Sequence, residues 1–253
     1  MNEQMKMSGR ATARRGQTIT AVLCGLTTAV LSQTAAAGGF TVGSFTSAAD
    51  LGLDVGFPPP QSLVLAEHAG GAADGQDTVG AVTFTNPATF FGFNTASAVQ
   101  WGSANFGDAQ LNDLMNGAAV AHSVFGQTFS KTFSGLTVGH DYRLQMLVYD
   151  GDFSAVDSGQ RAGTINAGGD QLTFDYKSTI GGTGVNNKGV YADYQWTYSS
   201  PLTVTWTPKA PDINNSNYTM IFNAFDLVEL PEPTTAALLG LGGLLLVFRR
   251  RSH

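Results

Sequence analysis

Strict alternation of apolar and polar side chains is the feature that most constrains how this chain can fold. It is clearest in three segments with large apolar residues at every second position: 172–176, 194–198 and 202–206. A period of two is typical of strands that bury one face, because successive side chains of a strand point to opposite faces. The sequence therefore predicts a chain built from half-buried β-strands.

Other segments extend this pattern to most of the chain. Two apolar runs, 142–149 and 218–230, predict central strands that are covered on both faces. Further strands are predicted by shorter apolar stretches at 79–85, 98–101 and 127–133. Clusters of glycine, asparagine and aspartate separate the strands and predict turns. The stretch 50–75 lacks regular alternation, and we expect a long loop there.

One short helix is predicted between the strands. Asp108 can cap its start, Leu111, Leu114 and Met115 form an apolar stripe, and 116–117 can end it. Many short strands with almost no helix are typical of sandwiches. We therefore predict an all-β fold, a single antiparallel β-sandwich of jelly-roll type with at most one short helix, over residues 38–230.

The N-terminus has the three parts of a secretory signal peptide. A basic segment precedes a weakly apolar run at 19–31, and Ala35 and Ala37 then provide small residues for cleavage. The run is 13 residues long, whereas a membrane-spanning helix needs about 20. We predict that residues 1–37 form a signal helix that is removed on export. The only cysteine, Cys24, lies within it, so a mature chain would contain no disulfide.

The C-terminus combines a proline-rich motif, a short apolar helix and a basic end. The residues that define it are Pro231, Glu232, Pro233, Arg249, Arg250 and Arg251. Its apolar segment, 234–248, has 15 residues, again short for a permanent span. Segment 231–253 closely resembles the PEP-CTERM sorting signal of Gram-negative bacteria. The resemblance implies transient insertion in the inner membrane, cleavage by an exosortase, and delivery to the cell surface or the extracellular matrix. An ordinary C-terminal anchor is the alternative.

The charge of the chain excludes one class of partner. The formal net charge is −6. Most of the basic residues lie at the two ends, and between residues 19 and 248 six basic residues face 18 acidic ones, about −12 in total. Nucleic-acid binding requires clustered lysine or arginine, so we predict no nucleic-acid partner.

No catalytic motif is evident. The sequence contains neither a Gly-x-Ser-x-Gly nucleophile motif nor a phosphate-binding Gly-x-x-x-x-Gly-Lys-Ser/Thr loop. A pair of carboxylates for glycoside hydrolysis remains open, because sequence spacing does not reveal which carboxylates lie together. We predict a non-enzyme.

An acidic segment suggests a calcium site. Asp150, Asp152 and Asp157 follow the predicted central strand at 142–149, on a glycine-containing turn. Calcium binds hard oxygen ligands of this kind. The alternative is ordinary turn chemistry, in which aspartate bonds to its own backbone. Calcium is therefore a candidate cofactor.

Aromatic residues suggest a carbohydrate site. Sugars stack on exposed aromatic rings beside polar side chains. Trp101 lies beside Gly102 near a predicted loop, and Tyr191 lies two residues after Gly189. Trp196 and Trp206 alternate with polar residues, so we expect both in the core. Trp101 and Tyr191 are the candidate carbohydrate-binding residues.

Two segments resemble known extracellular folds. Residues 133–145 follow a strand, small-residue turn, strand pattern that is common in extracellular bacterial sandwiches. Residues 221–230 are similar to the last strand of galactose-binding-like and malectin-like jelly rolls. The resemblance implies a sandwich fold and is shared by structural and binding modules alike. We predict an exported, non-catalytic surface or matrix protein that binds or lies in exopolysaccharide. The alternatives are a structural surface protein without a defined ligand and a polysaccharide-acting enzyme.

Overall fold

The described part of the chain folds as an all-β protein with two short α-helices. The computed structural model describes residues 38–53, 61–70, 75–100, 103–122, 126–150, 161–180, 187–209 and 219–231. Its strands are β1 (Gly39–Phe45), β2 (Ser62–His68), β3 (Gln76–Val79), β4 (Val82–Thr85), β5 (Thr89–Phe90), β6 (Phe93–Asn94), β7 (Val99–Gln100), β8 (Gly117–His122), β9 (Phe129–Phe133), β10 (Asp141–Val148), β11 (Ala162–Ala167), β12 (Asp170–Asp175), β13 (Gly189–Thr197), β14 (Leu202–Pro208), β15 (Thr219–Phe222) and β16 (Ala224–Glu229). The helices are α1 (Ala109–Asn116) and α2 (Tyr176–Ile180).

Two sheets form the sandwich. The larger has seven strands in the order β1-β13-β10-β16-β2-β4-β3, and the smaller has four in the order β12-β11-β14-β9. All neighbouring strands in both sheets are antiparallel except β2 and β4. A three-stranded sheet (β15-β8-β7) and the β5–β6 hairpin complete the described strands. The predicted all-β sandwich is confirmed.

The main core fills the space between the two sheets. Alternate residues of β10, Leu144, Met146 and Val148, pack there with Trp206 of β14 and Phe225 of β16. Trp196 and Trp206 both belong to this core and are 7% and 0% exposed, as the alternation predicted. This packing defines an inner face of the seven-stranded sheet, which contacts the four-stranded sheet, and an outer face on the other side.

A second core covers part of the outer face. Leu147 of β10 and Tyr149, which directly follows this strand, pack there with Phe45 of β1 and with the buried side of α1. Side chains on both faces of β10 are therefore buried, which confirms that segment 142–149 is covered on both faces. Asp108 caps α1 as predicted, because its side chain accepts hydrogen bonds from the backbone N–H groups of residues 110 and 111 at 2.8 and 3.2 Å.

Asn223 connects the two cores at the break between β15 and β16. Its Oδ1 accepts the backbone N–H of Tyr149 at 2.6 Å. Its Nδ2 donates to the carbonyls of Met115 and Gly117 at 2.8 and 3.0 Å. Asn223 is 0% exposed, so these bonds hold α1 and β8 to the centre of the large sheet. The single strand expected within 218–230 is therefore interrupted at this residue.

Three of the predictions for local structure were wrong. Segment 79–85 is not one strand but the β3–β4 hairpin, which turns at Gly80 with a φ of 58°. Segment 50–75 is not all loop, because its apolar residues form β2 between β16 and β4. A second helix, α2, begins at Tyr176, where the alternation had predicted a continuing strand. Asp175 caps it by accepting the backbone N–H of Ser178 at 3.2 Å.

Several predicted features lie outside the described residues. These are Ala35, Ala37, Trp101, Asp152, Asp157, Glu232, Pro233, Arg249, Arg250 and Arg251. Among the helices that the structure describes, none has the length and apolarity to cross a bilayer. The signal helix, the apolar C-terminal helix and the domain boundaries therefore stay predictions.

Candidate functional site

Four polar side chains lie on the outer face of the large sheet. Their neighbours in sequence, including Leu144, Tyr194 and Phe225, belong to the main core, so the alternation of the strands directs the four to the opposite face. We call Arg143 and Gln145 of β10, Asp193 of β13 and Asp226 of β16 the outer-face cluster. Gln145 is the cross-strand partner of both Asp193 and Asp226. The register therefore lines up two carboxylates on either side of one amide.

Burial and hydrogen bonding set the charges of the outer-face cluster. Asp226 is 0% exposed, and its Oδ1 lies 3.3 Å from Arg143 Nη2. Burial raises the pKa of Asp226 to about 7 and outweighs the opposing effect of Arg143. The pKa of the half-buried Asp193 is also raised, again mainly by burial, although Arg143 and a hydrogen bond from Gln145 partly oppose this. Below neutral pH, Asp226 is therefore mainly protonated.

Three oxygens of the outer-face cluster lack a partner in the described part of the chain. They are Asp193 Oδ1, Gln145 Oε1 and Asp226 Oδ2, and all three are buried. A buried polar atom without a hydrogen bond is costly. Since all three oxygens are acceptors when Asp226 is ionised, the group that satisfies them must be a donor. A proton on Asp226 supplies one such donor.

Tyr191 lies on the same face, two residues before Asp193 on β13. Its cross-strand neighbours are Gly43 of β1 and Leu147 of β10. The end of the ring lies against Gly43, where an added Cβ atom would overlap the Tyr191 Cζ and Oη atoms. Glycine at position 43 therefore lets the ring pack closely against β1. Tyr191 also contacts the second core and is only partly buried.

Tyr191, one of the two predicted carbohydrate-binding residues, lies on the same face as the outer-face cluster, which the sequence analysis did not predict. An aromatic ring beside a carboxylate, an amide and a guanidinium matches the chemistry expected of a carbohydrate site. The sequence does contain an indication of the outer-face cluster: Arg143 and Gln145 are polar residues inside an apolar run that was predicted to be covered on both faces. Asp226 interrupts the run at 218–230 in the same way.

The predicted calcium ligand Asp150 has a protein partner. It is 6% exposed, and its Oδ2 accepts a hydrogen bond from Arg161 Nε at 2.8 Å. This ion pair joins the end of β10 to the start of β11. Within the described residues, no group of three or more histidine, cysteine, aspartate or glutamate side chains is arranged to hold a metal ion. Since Asp152 and Asp157 lie outside these residues, the calcium site stays a prediction.

Two histidines occupy structural positions. His68 at the end of β2 is 0% exposed, and its Nδ1 accepts the backbone N–H of Gly70 at 3.2 Å. His140 Nδ1 lies 2.8 Å from an oxygen of Glu229. The second oxygen of Glu229 accepts the hydroxyl of Tyr142 at 3.2 Å. These contacts tie the ends of β10 and β16 together.

Comparison with known proteins shows similarity at the level of the fold. No protein-family model and no curated protein sequence matches the chain. The ANXUR1 extracellular domain from Arabidopsis thaliana is similar in structure, with a TM-score of 0.50 and 14% sequence identity over 68% of this chain and 49% of that one. The ANX1 ectodomain from the same plant gives 0.51 and 13% over 68% and 49%.

A further structure, of the plant receptor-like kinase ANX1, gives a TM-score of 0.50 and 12% identity over 77% of this chain and 55% of that one. The chain thus spans about half the length of these plant proteins. At this identity the similarity shows the fold alone, and it supports the malectin-like part of the resemblance noted in the sequence.

Proposed function

We propose that this chain is a non-catalytic, exported surface or matrix protein whose β-sandwich binds exopolysaccharide. The observation that carries the proposal is the position of Tyr191, which is partly exposed on the same face and strand as Asp193. Aromatic rings supply stacking surface, and carboxylate and amide groups bind sugar hydroxyls. We call the surface formed by Tyr191 and the outer-face cluster the Tyr191 face.

Binding by the purified full-length protein to exopolysaccharide from the producing organism tests this function. Tyr191→Leu should weaken binding about 2- to 10-fold, since loss of an aromatic contact costs about 0.5–1.5 kcal/mol. Phe40→Leu is the matched control, because Phe40 lies on the inner face of β1 and packs against Tyr194. Equal binding by the wild type and by Tyr191→Leu would refute the proposed site.

Calcium is tested in the same assay. Binding that is lost in chelator and restored by calcium would support the predicted ligands Asp150, Asp152 and Asp157. The ion pair between Asp150 and Arg161 makes a purely structural role for Asp150 the alternative. Binding that is unchanged in chelator would remove calcium from the proposal and leave the Tyr191 face in place.

A polysaccharide-acting enzyme is the less favoured candidate. Asp226 has the raised pKa of a general acid. However, it is 0% exposed, and a general acid must lie within hydrogen-bonding distance of the bond that it protonates. Release of reducing ends from exopolysaccharide by the wild type, lost in Asp226→Asn, would reverse this preference. Absence of both binding and hydrolysis would favour a structural surface protein without a defined ligand.

We also propose that the C-terminal segment directs sorting by an exosortase after export. The supporting observation is the order of Pro231, Glu232 and Pro233, an apolar segment and three terminal arginines. In the producing organism, replacing Arg249, Arg250 and Arg251 with alanine should change the cell fraction in which the protein accumulates and prevent shortening of its C-terminus. Mass spectrometry of the mature protein measures this. If the mature wild-type protein still ends at residue 253, the proposal is contradicted.

A further inference from the structure

One end of the sandwich lies next to the C-terminal segment. β16 ends at Glu229, and the backbone N–H of Leu230 donates to the carbonyl of Asp141 at 2.8 Å. Leu230 is 7% exposed, so the fold fixes the chain up to this residue. The strand register places two loops and the start of β2 at the same end. We call residues 134–140, 198–201 and 62–64 together with Leu230 the Leu230 end.

The sequence leaves little distance between the Leu230 end and the predicted apolar segment. That segment, 234–248, begins four residues after Leu230. Four residues span at most about 14 Å when fully extended, and the polar layer on one side of a bilayer is about 5–8 Å thick. With the apolar segment inserted in a bilayer, the Leu230 end therefore lies at the surface of the lipid.

Apolar side chains are exposed at this same end. Val138 is 71% exposed, more than any other of the exposed large apolar residues in the described part of the chain. Leu63 and Val64 are 40% and 41% exposed. Only β16 separates β2 from β10, so the start of β2 lies about 10 Å from the start of β10 across the sheet. Exposed apolar residues that are grouped in this way mark interaction sites.

Val138 is held at the tip of a well-defined turn. The His140 N–H donates to the Thr137 carbonyl at 3.3 Å, and Gly139 has a φ of 88°, as in a type II turn. The Gly139 N–H also donates to the Tyr198 carbonyl at 2.8 Å, which joins the two loops. Turns are usually built from small or polar residues, so a valine at this tip favours a contact outside the sandwich.

The charge of the Leu230 end suits the surface of a bilayer. Residues 38–230 contain 17 acidic and six basic residues, so anionic lipids repel the domain as a whole. The loops 134–140 and 198–201 contain neither acidic residues nor lysine or arginine. The adjacent carboxylate of Glu229 is engaged by His140 at 2.8 Å. This end can therefore approach lipid headgroups at a lower electrostatic cost than the acidic remainder of the domain.

We propose that the Leu230 end is a lipid-contacting surface, with Val138 inserted into the bilayer interface and Leu63 beside it. This inference rests on the proposed sorting function, since it requires the C-terminal segment to be in the membrane before cleavage. Tyr191 lies six residues before the end of β13, about 20 Å away along the strand. The contact therefore leaves the Tyr191 face clear of lipid and open to a glycan.

The experiment measures how closely single positions approach lipid. The full-length protein, in which Cys24→Ser removes the only cysteine, is inserted into vesicles of phosphatidylethanolamine and phosphatidylglycerol that contain headgroup-spin-labelled lipid. A fluorophore is attached at Val138→Cys, Leu63→Cys or Ala49→Cys in separate samples. Ala49 is the control position, because it is exposed and follows the opposite end of β1.

The expected result is a clear difference between the two ends of the sandwich. Quenching by the spin label at Val138→Cys and Leu63→Cys should exceed quenching at Ala49→Cys at least about threefold, because β1 alone separates the two ends by about 20 Å. Equal quenching at all three positions would overturn the inference, because the domain would then have no preferred orientation on its tether.

A second measurement separates a lipid contact from simple tethering. Val138→Asp should shift the equilibrium between lipid-bound and released orientations about tenfold toward release, and so reduce quenching of the fluorophore at Leu63→Cys. The exposure of Val138 leaves the fold intact in this variant, which urea unfolding checks. Ala49→Asp adds the same charge at the opposite end and should leave the quenching unchanged. Quenching that is equal in Val138→Asp and in its parent would overturn the role of Val138.

Failure of the inference and failure of the proposed sorting function give different results. Wild-type protein that floats with the vesicles, but whose fluorophores are not quenched at the Leu230 end, would overturn the lipid contact and leave the membrane-inserted tail standing. Leu244→Asp together with Leu246→Asp should abolish both flotation and quenching, because charges are costly in a bilayer. Wild-type protein that does not float, or flotation that is unchanged in this double variant, would overturn both.

Discussion

Replacement of Asp226 by asparagine should remove a large part of the pH dependence of stability. Burial raises the pKa of Asp226 from 3.8 to about 7 in the folded protein, whereas the unfolded chain exposes this carboxyl to water. As pH rises above about 4, ionisation of this carboxyl stabilises the unfolded state, whereas Asp226 in the folded state keeps its proton. Stability from this group is therefore fully present below pH 4 and is lost as pH rises toward about 7.

The magnitude follows from the size of the shift. A difference of about three pKa units corresponds to about 4 kcal/mol, lost by the wild type between acidic and slightly alkaline pH. Asparagine at position 226 can still accept a hydrogen bond from Arg143, and it carries no charge in either the folded or the unfolded state. We therefore expect Asp226→Asn to match the wild type near pH 4 and to exceed it by a few kcal/mol near pH 8.

Urea unfolding followed by fluorescence of the buried Trp196 and Trp206 measures this difference across the pH range. Asp113→Asn, on the exposed side of α1, is the control for loss of one carboxylate. A difference between Asp226→Asn and wild type that is independent of pH would refute the reasoning. So would a variant that becomes less stable than the wild type at alkaline pH, because ionised Asp226 would then gain more from Arg143 than burial costs.

Two further predictions concern packing and connection. Gly43→Ala should weaken glycan binding while changing stability by less than about 1 kcal/mol, because the added Cβ would meet only the far end of the Tyr191 side chain, which must shift. Gly75→Ala is the control, since its Cβ would meet no atom within 4 Å, and equal glycan binding by both variants would contradict this explanation. Asn223→Ala should lower the free energy of unfolding by at least about 3 kcal/mol, measured by urea unfolding, because it removes the partner of the buried Tyr149 N–H and of the Met115 and Gly117 carbonyls. A decrease below about 1 kcal/mol would show that these backbone groups find other partners.

Sequence periodicity predicted the strands and the core well because both depend on local patterns. Alternation places Trp196 and Trp206 in the main core, and the Asp108 cap defines the start of α1. Two of the errors arose where a single residue ends a strand that the alternation would have continued. Gly80 turns the segment 79–85 into a hairpin, and Asp175 starts a helix where the alternation of β12 would have continued.

The outer-face cluster was not predictable by the same means. Its residues come from β10, β13 and β16, which are far apart in the chain and adjacent only in the sheet order. Register decides that Gln145 lies between Asp193 and Asp226, and register depends on the whole sheet. Tyr191 was selected from the sequence as a residue near a loop, whereas it lies within β13 and contacts Gly43 across the strand pair.

The central strands of the large sheet therefore contain polar residues at buried positions where apolar residues would be more stable. At the positions of Gln145 and Asp226, which are almost completely buried, apolar residues would remove the cost of burying a carboxyl and an amide. Apolar residues do occupy outer-face positions further along the same strands, at Leu147 and Ala224. Polar groups that cost stability in the centre of a sheet are most simply explained by a requirement of function. If Asp226→Asn gains stability at neutral pH and at the same time weakens glycan binding, the carboxyl is kept to hold Gln145 and Asp193 in place for a ligand.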